Sequence, residues 1–231
     1  MSLLEIRRYP VKSMGGEALP TVELDARGLV GDRHHAVVDR DGRFAAGKDS
    51  RRFRRRDEVF AYAATTAPDG TVRVSRGADR WVAGDQALDE ELTARFGDSV
   101  RVLPEQGVSH FDASPVSIVG TATLDWCARE LGVDADRRRL RTNLVVETSE
   151  PFEEEGWIGR KVEVGQAGPP VLLAVVERVE RCRTIDLAQD GVTTTTPWLK
   201  ALGRSRELCV AVYADVAAPG VVAVGDVVRV L

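Results

Sequence analysis

The chain reads as a mainly β protein of the α+β kind. Many short runs alternate apolar and polar residues, turn residues separate them closely, and helical periodicity occurs only in a few short windows. With 231 residues, 43% of them hydrophobic and 29% charged, it is long enough for one large domain or two small ones sharing an interface. A seam is expected at Pro104, Glu105, Gln106 and Gly107, which divides the chain into residues 1–105 and 106–231.

In the first part, residues 3–9 alternate and stop at Pro10, and residues 21–24 alternate again and end near Gly28. Residues 35–39 lead into Asp41-Gly42, a dipeptide that favours a type I′ hairpin turn. Residues 59–65 are expected to pair with 71–74 across the turn Pro68-Asp69-Gly70, and Trp81-Val82 forms a further short strand. Leu88, Leu92 and Phe96 recur every four residues, predicting a helix over 86–96 with Gly97 as its C-cap.

In the second part a short strand at 116–119 precedes a helix over 121–131. Leu124, Cys127, Ala128 and Leu131 share one face of it, and Gly132 ends it. Asp134 is expected to cap a short turn through Arg137, Arg138 and Arg139. Strands follow at 144–146, 162–164, 171–179, 208–216 and 227–231. Pro197 at the first position and Gly203 at the end mark a short helix, and residues 193–196 form a polar loop. Cys127 and Cys209 sit on apolar faces and read as packing residues.

The balance of charge and the cysteine count exclude several classes. A net charge of −4 argues for neither a nucleic-acid nor a membrane partner. Three widely spaced cysteines make no disulfide framework, which points to a reducing compartment. Charges come too early for a signal-peptide core, and no stretch has the apolar length of a membrane span. A cytoplasmic location is therefore expected. No Gly-rich phosphate loop, paired-cysteine zinc or iron–sulfur motif, or Gly-x-Ser-x-Gly elbow is present. His34 and His35 are adjacent on a strand, point to opposite faces and do not readily share a zinc ion with His110.

Cys182 is the most informative residue. It closes the apolar run 171–179 and is flanked by Arg178, Arg181 and Arg183, whose charges favour a thiolate. At a strand end it is either a nucleophile or soft-metal ligand, or a small buried hydrophobe. Two basic clusters also stand out. Five arginines among residues 51–56 read as a solvated surface. Arg139 and Arg141 precede Asn143 and an apolar strand; in an extended segment all three face one way while Leu140 packs down. Paired guanidiniums beside an amide suit bidentate recognition of phosphate or carboxylate.

Taken in order, these pieces resemble the MOSC-domain proteins, named for the C-terminal domain of molybdenum cofactor sulfurase and including the amidoxime-reducing components. In the first half the resemblance lies in Tyr9-Pro10-Val11-Lys12-Ser13 and in the stretch from Gly31-Asp32-Arg33 to Asp39. In the second half it lies in His110-Phe111-Asp112-Ala113-Ser114-Pro115, Arg139-Leu140-Arg141-Thr142-Asn143, Pro151-Phe152-Glu153-Glu154 and Glu180-Arg181-Cys182. The resemblance implies an N-terminal β-barrel-like module packed on a MOSC β-barrel with a few short helices, and a Mo-pyranopterin cofactor between them. By the same resemblance Cys182 is the metal ligand. Lys12, Ser13, Arg33, Arg141, Asn143 and Thr184 contact the cofactor, with Arg139 beside them, while Asp112 or His110 handles protons. The implied activity is reduction of small N-hydroxylated compounds. With no flavin or iron–sulfur motif in the chain, a separate electron-donor protein of one of those kinds is required. The alternative is a carrier of the cofactor, or of sulfur as a Cys182 persulfide, without turnover.

Overall fold

The computed structural model describes residues 1–166, 168–193 and 197–231; most of the expected polar loop at 193–196 lies outside the described residues. The largest sheet has eight strands in the spatial order Val228–Val230, Lys161–Val164, Val171–Glu180, Cys209–Ala218, Val116–Gly120, Leu144–Val146, Leu3–Arg8 and Glu17–Leu19. Neighbours pair antiparallel except Val116–Gly120 with Leu144–Val146, which pair parallel. The sheet curls until Ser2 bridges Val227, and Leu3 N donates to Asp226 O at 2.8 Å. One bridge is not a ladder, so no described sheet closes into the continuous barrel that the resemblance implies.

The first half contributes two smaller sheets. One orders Val100–Pro104, His35–Asp39, Phe44–Ala46 and Phe53–Arg55; the other orders Asp79–Val82, Val72–Arg76 and Ala63–Thr66. Thr21–Asp25 buries alternate residues and pairs with Gly220–Ala223. Strand pairing therefore crosses the seam: Leu3–Arg8 and Thr21–Asp25 pair with strands beyond residue 140.

Four apolar clusters follow from this arrangement among the described residues, the smallest being Ala36, Phe44, Ala46 and Phe53. Leu3, Ile6, Leu144, Val162, Leu173 and Val212 fill the large sheet. Val11, Met14, Tyr62, Val74, Leu88 and Leu92 fill the first half. Cys127, Val179, Trp198, Leu202 and Val210 lie under two helices. Each such aliphatic side chain contributes roughly 1.5–3 kcal/mol when fully removed from water. The helices Gln86–Phe96 and Thr121–Leu131 end at Gly97 and Gly132, both left-handed, as the sequence leads one to expect. Two expectations about helix ends need correction. Pro197 is the N-cap of Trp198–Ser205 rather than its first residue, and Gly203 lies inside that helix, which ends at Arg206. Asp136, not Asp134, caps Arg137–Leu140 by accepting from Arg138 N at 3.0 Å. No helix of the described residues is long and apolar enough to cross a membrane.

Candidate functional site

Both halves wall a cavity of about 140 Å³. From the first half come Lys12, Ser13, Arg33, Gly47, Lys48 and Phe60, and from the second Asp112, Arg141, Arg181, Cys182, Thr184 and Tyr213. The strand Val171–Glu180 delivers Cys182 to this wall. Its pairing ends at Glu180 opposite Cys209, and Cys182 then caps the 3-10 helix Arg183–Asp186. Its Sγ donates to Thr184 Oγ1 at 3.3 Å. Of the flanking arginines, Arg178 is turned to Glu207 at 2.7 Å and Arg183 to Asp57 at 2.6 Å, while Arg181 stays beside the cavity.

Three cavity residues hold left-handed backbone: Ser13 with φ 69°, Arg33 with φ 49° and Arg141 with φ 52°. Such conformations cost non-glycine residues about 1–3 kcal/mol each and persist where the surroundings impose them. Here each bends the chain so that its side chain reaches the interface between the halves. Ser13 Oγ donates to Ala45 O at 2.8 Å, Arg33 Nη2 to Arg141 O at 3.0 Å, and Arg141 Nη2 to Met14 O at 2.6 Å.

The cavity is electropositive, and its cations differ in how they are compensated. Arg33 is ion-paired with the fully buried Asp32. Burial alone lowers a guanidinium pKa, but Asp32 and Tyr9 outweigh it and hold that of Arg33 above its usual value. Arg141 and Arg181 have no carboxylate within ion-pair distance among the described residues; they donate to Met14 O, Gln189 Oε1, Leu140 O and Val210 O. Burial pushes Arg141 below its usual value and takes Arg181 down to about 10. Lys12, 4% exposed, donates to His110 O at 2.5 Å and Asp112 Oδ1 at 3.3 Å; burial, partly offset by Asp112, lowers it to about 8. Asp112 is half-exposed at the mouth. Burial of its carboxyl would raise its pKa, yet Lys12 and Lys48 together hold it below the carboxylate range.

Beneath the cations lies Tyr9, fully buried, with Arg141 at 4.4 Å, Arg33 at 5.0 Å and Arg7 at 5.9 Å from its ring centroid. The ring is a shared cation–π platform, and burial raises its phenol pKa.

The structure separates several residues that the sequence groups together. Residues 137–140 are helical rather than extended, so Arg139, Arg141 and Asn143 do not form one row. Arg139 is 1% exposed and holds Asp134 at 2.8 Å together with the carbonyls of Ile185, Leu187 and Thr193; only part of it reaches the cavity wall. Asn143 lies outside the cavity, bonded to Ser117 and Arg7 O. The His110 ring packs on Phe44 at 4.9 Å with its Nδ1 3.1 Å from Arg33 O, outside the cavity lining, while its carbonyl accepts from Lys12. Sequence reasoning names Arg181 only as a neighbour of Cys182 and passes over Lys48 and Tyr213. Alternation past Val179 puts Arg181 on the same face, a signal that could have found it.

Two family models match. One, described as the MOSC domain, covers residues 79–229, and the other, the MOSC N-terminal beta barrel domain, covers residues 1–134. Among solved structures the chain is similar to the crystal structure of the YuaD protein from Bacillus subtilis. The TM-score is 0.56 at 16% identity, covering 99% of this chain and 94% of that one, which shows a shared fold. No curated protein matches.

Proposed function

Since the chain belongs to the MOSC family, which is associated with molybdenum cofactor binding, we propose that its cavity holds a Mo-pyranopterin and that the protein reduces small N-hydroxylated compounds. The observation that carries this reading is the pair Arg141 and Arg181, half-buried guanidiniums that line the cavity with no carboxylate partner among the described residues. Uncompensated buried charge is costly, and an anionic occupant such as the pterin phosphate relieves it. Cys182 fits the metal: its thiol lines the same cavity and is held by a single side-chain hydrogen bond, leaving it free to act as a soft ligand.

When bound, the molybdenum centre supplies two-electron chemistry in which the substrate's N–O oxygen leaves as water. The chain's own groups prepare for it. Arg33, Arg141 and Arg181 hold the anion, and Thr184 orients the Cys182 thiol. Lys12, poised near neutrality, donates a proton inside, and the half-exposed Asp112 carboxylate returns protons to it from solvent. Electrons come from a separate flavin or iron–sulfur protein.

The test is molybdenum and pterin content of wild type and Cys182→Ser from a host that makes the cofactor, followed by reduction of an amidoxime with reduced methyl viologen. About one metal and one pterin per chain, metal loss in the variant, and turnover are expected. Bound cofactor without turnover would favour the cofactor or sulfur carrier; neither metal nor pterin in the wild type would remove the proposal.

A further inference from the structure

Outside the cavity, charge and shape coincide on one face where the first half meets residues 106–111. Arg51 is exposed and makes no side-chain ion pair or hydrogen bond among the described residues, whereas Arg55 and Arg56, which line a separate pocket with Arg54, are paired with Asp57 and Asp98. Arg52 bonds only the carbonyls of Ser109 and Phe111, so its charge also lacks a carboxylate. A groove of about 290 Å³, lined by Phe44, Leu103, Val108 and His110, has Arg51 and Arg52 in its wall. Val108 is 56% exposed, an apolar side chain left in water beside unpaired cations. In a chain of net charge −4 this concentration of uncompensated arginine is local.

The groove shares a wall with the cavity. Phe44 lies 4.9 Å from the His110 ring and 6.3 Å from Phe53, and Phe53 lies 5.0 Å from Lys12 Nζ and 4.8 Å from Lys48 Nζ. His110 faces both spaces, its ring in the groove and its carbonyl on Lys12. About one layer of side chains separates the two.

We propose that this groove and its arginines are the docking site of the electron-donor protein. That partner is a small acidic redox protein whose exposed flavin edge or iron–sulfur cluster sits in an apolar patch ringed by Asp and Glu. The inference rests on the reductase reading above. Electron transfer weakens steeply with distance, so the donor must seat where the cavity wall is thin. A small apolar centre with a charged rim is also the form of weak, rapidly exchanging redox complexes, which bury little area and associate by electrostatic steering. Each turnover takes two electrons, from one fully reduced flavin or from two iron–sulfur donors docking in succession, and with two protons from water these convert N–OH to N–H and release one water.

The experiment uses an acidic plant-type [2Fe–2S] ferredoxin as probe, with wild type and the double variant Arg51→Glu/Arg52→Glu, both residues of the groove wall. Neither arginine belongs to the cavity, and both are exposed, so the fold is retained. Binding of oxidised ferredoxin is measured by calorimetry on cofactor-free protein at low and high salt. Amidoxime reduction by the loaded protein is then driven by reduced ferredoxin or by methyl viologen. Wild type should bind in a salt-sensitive way. The variant should lose about tenfold or more in ferredoxin affinity and ferredoxin-driven rate, with the viologen-driven rate unchanged. Equal binding of ferredoxin by both proteins, or no salt-sensitive binding by wild type, overturns the docking site. Loss of ferredoxin affinity in the variant supports it even if neither donor drives reduction, a result that would sink the reductase reading alone.

Discussion

Gly47 and Thr184 approach so closely that a Cβ on residue 47 would stand 2.4 Å from Thr184 Oγ1. The contact joins a loop of the first half to the segment that carries Cys182, because the same Oγ1 accepts from Cys182 Sγ. Arg183 reinforces it by donating to Gly47 O at 3.0 Å. Gly47→Ala must turn Thr184 aside, at about 1–3 kcal/mol of stability, and release the thiol. Since Cys127 and Cys209 are buried, alkylation of the cofactor-free protein reports on Cys182. Its rate should rise several-fold in the variant; an unchanged rate means that Thr184 does not restrain the thiol.

Arg139 and Arg141, two residues apart, should respond oppositely to removal of charge. Arg139 is a structural spoke on Asp134 and three carbonyls, so Arg139→Met should destabilise the fold by about 3–5 kcal/mol. Arg141 has no carboxylate partner among the described residues, so Arg141→Met should change stability by less than about 1 kcal/mol while abolishing pterin retention. Urea unfolding of the cofactor-free variants beside pterin content of the loaded ones decides it; equal destabilisation would make both arginines structural.

Lys12 makes anion binding depend on pH. It is cationic below about 8 and neutral above, because burial disfavours its charge. Sulfate does not titrate in this range, so sulfate affinity of the cofactor-free protein should fall between about pH 7 and 9. Lys12→Met should bind sulfate more weakly with a flat profile. A wild-type profile that is flat would place the anion away from Lys12.

Glu154, which does not line the cavity, sets a stability slope. Its carboxyl is fully buried. Burial raises its pKa despite hydrogen bonds from Gly120 and from Thr123 Oγ1 at 2.8 Å, and its Oε1 has no hydrogen-bond partner among the described residues. A folded-state pKa above the unfolded one means the folded chain binds more protons. The contribution is complete below about pH 4, where both states are protonated, and is lost as pH rises through the folded pKa. Glu154→Gln removes the titration. Its stability relative to wild type should therefore improve from acid to neutral pH, read from urea midpoints; a constant difference would mean that Glu154 does not titrate on unfolding.

What the sequence makes legible depends on range. Gly97 and Gly132 end helices through local backbone freedom, and Cys182 follows a ten-residue strand whose alternation is written in consecutive residues. Arg139 was not legible. Its direction depends on Asp136 rather than Asp134 taking the cap, and on carbonyls some fifty positions away. His110 was half legible: its carbonyl holds Lys12 and its ring meets the Arg33 carbonyl, yet the ring itself does not line the cavity. The pairing of Leu3–Arg8 with Leu144–Val146 leaves no trace in either segment alone.

That last pairing also governs how the chain can acquire its structure. During synthesis residues 3–8 emerge long before residues 144–146, and residues 21–25 long before 220–223, so the earliest strands leave the ribosome with edges that have no partner. Such long-range β contacts slow folding and prolong exposure of apolar edges. The cavity is walled by residues from Lys12 to Tyr213, so the anion-binding face assembles only after some two hundred positions have followed its first cation.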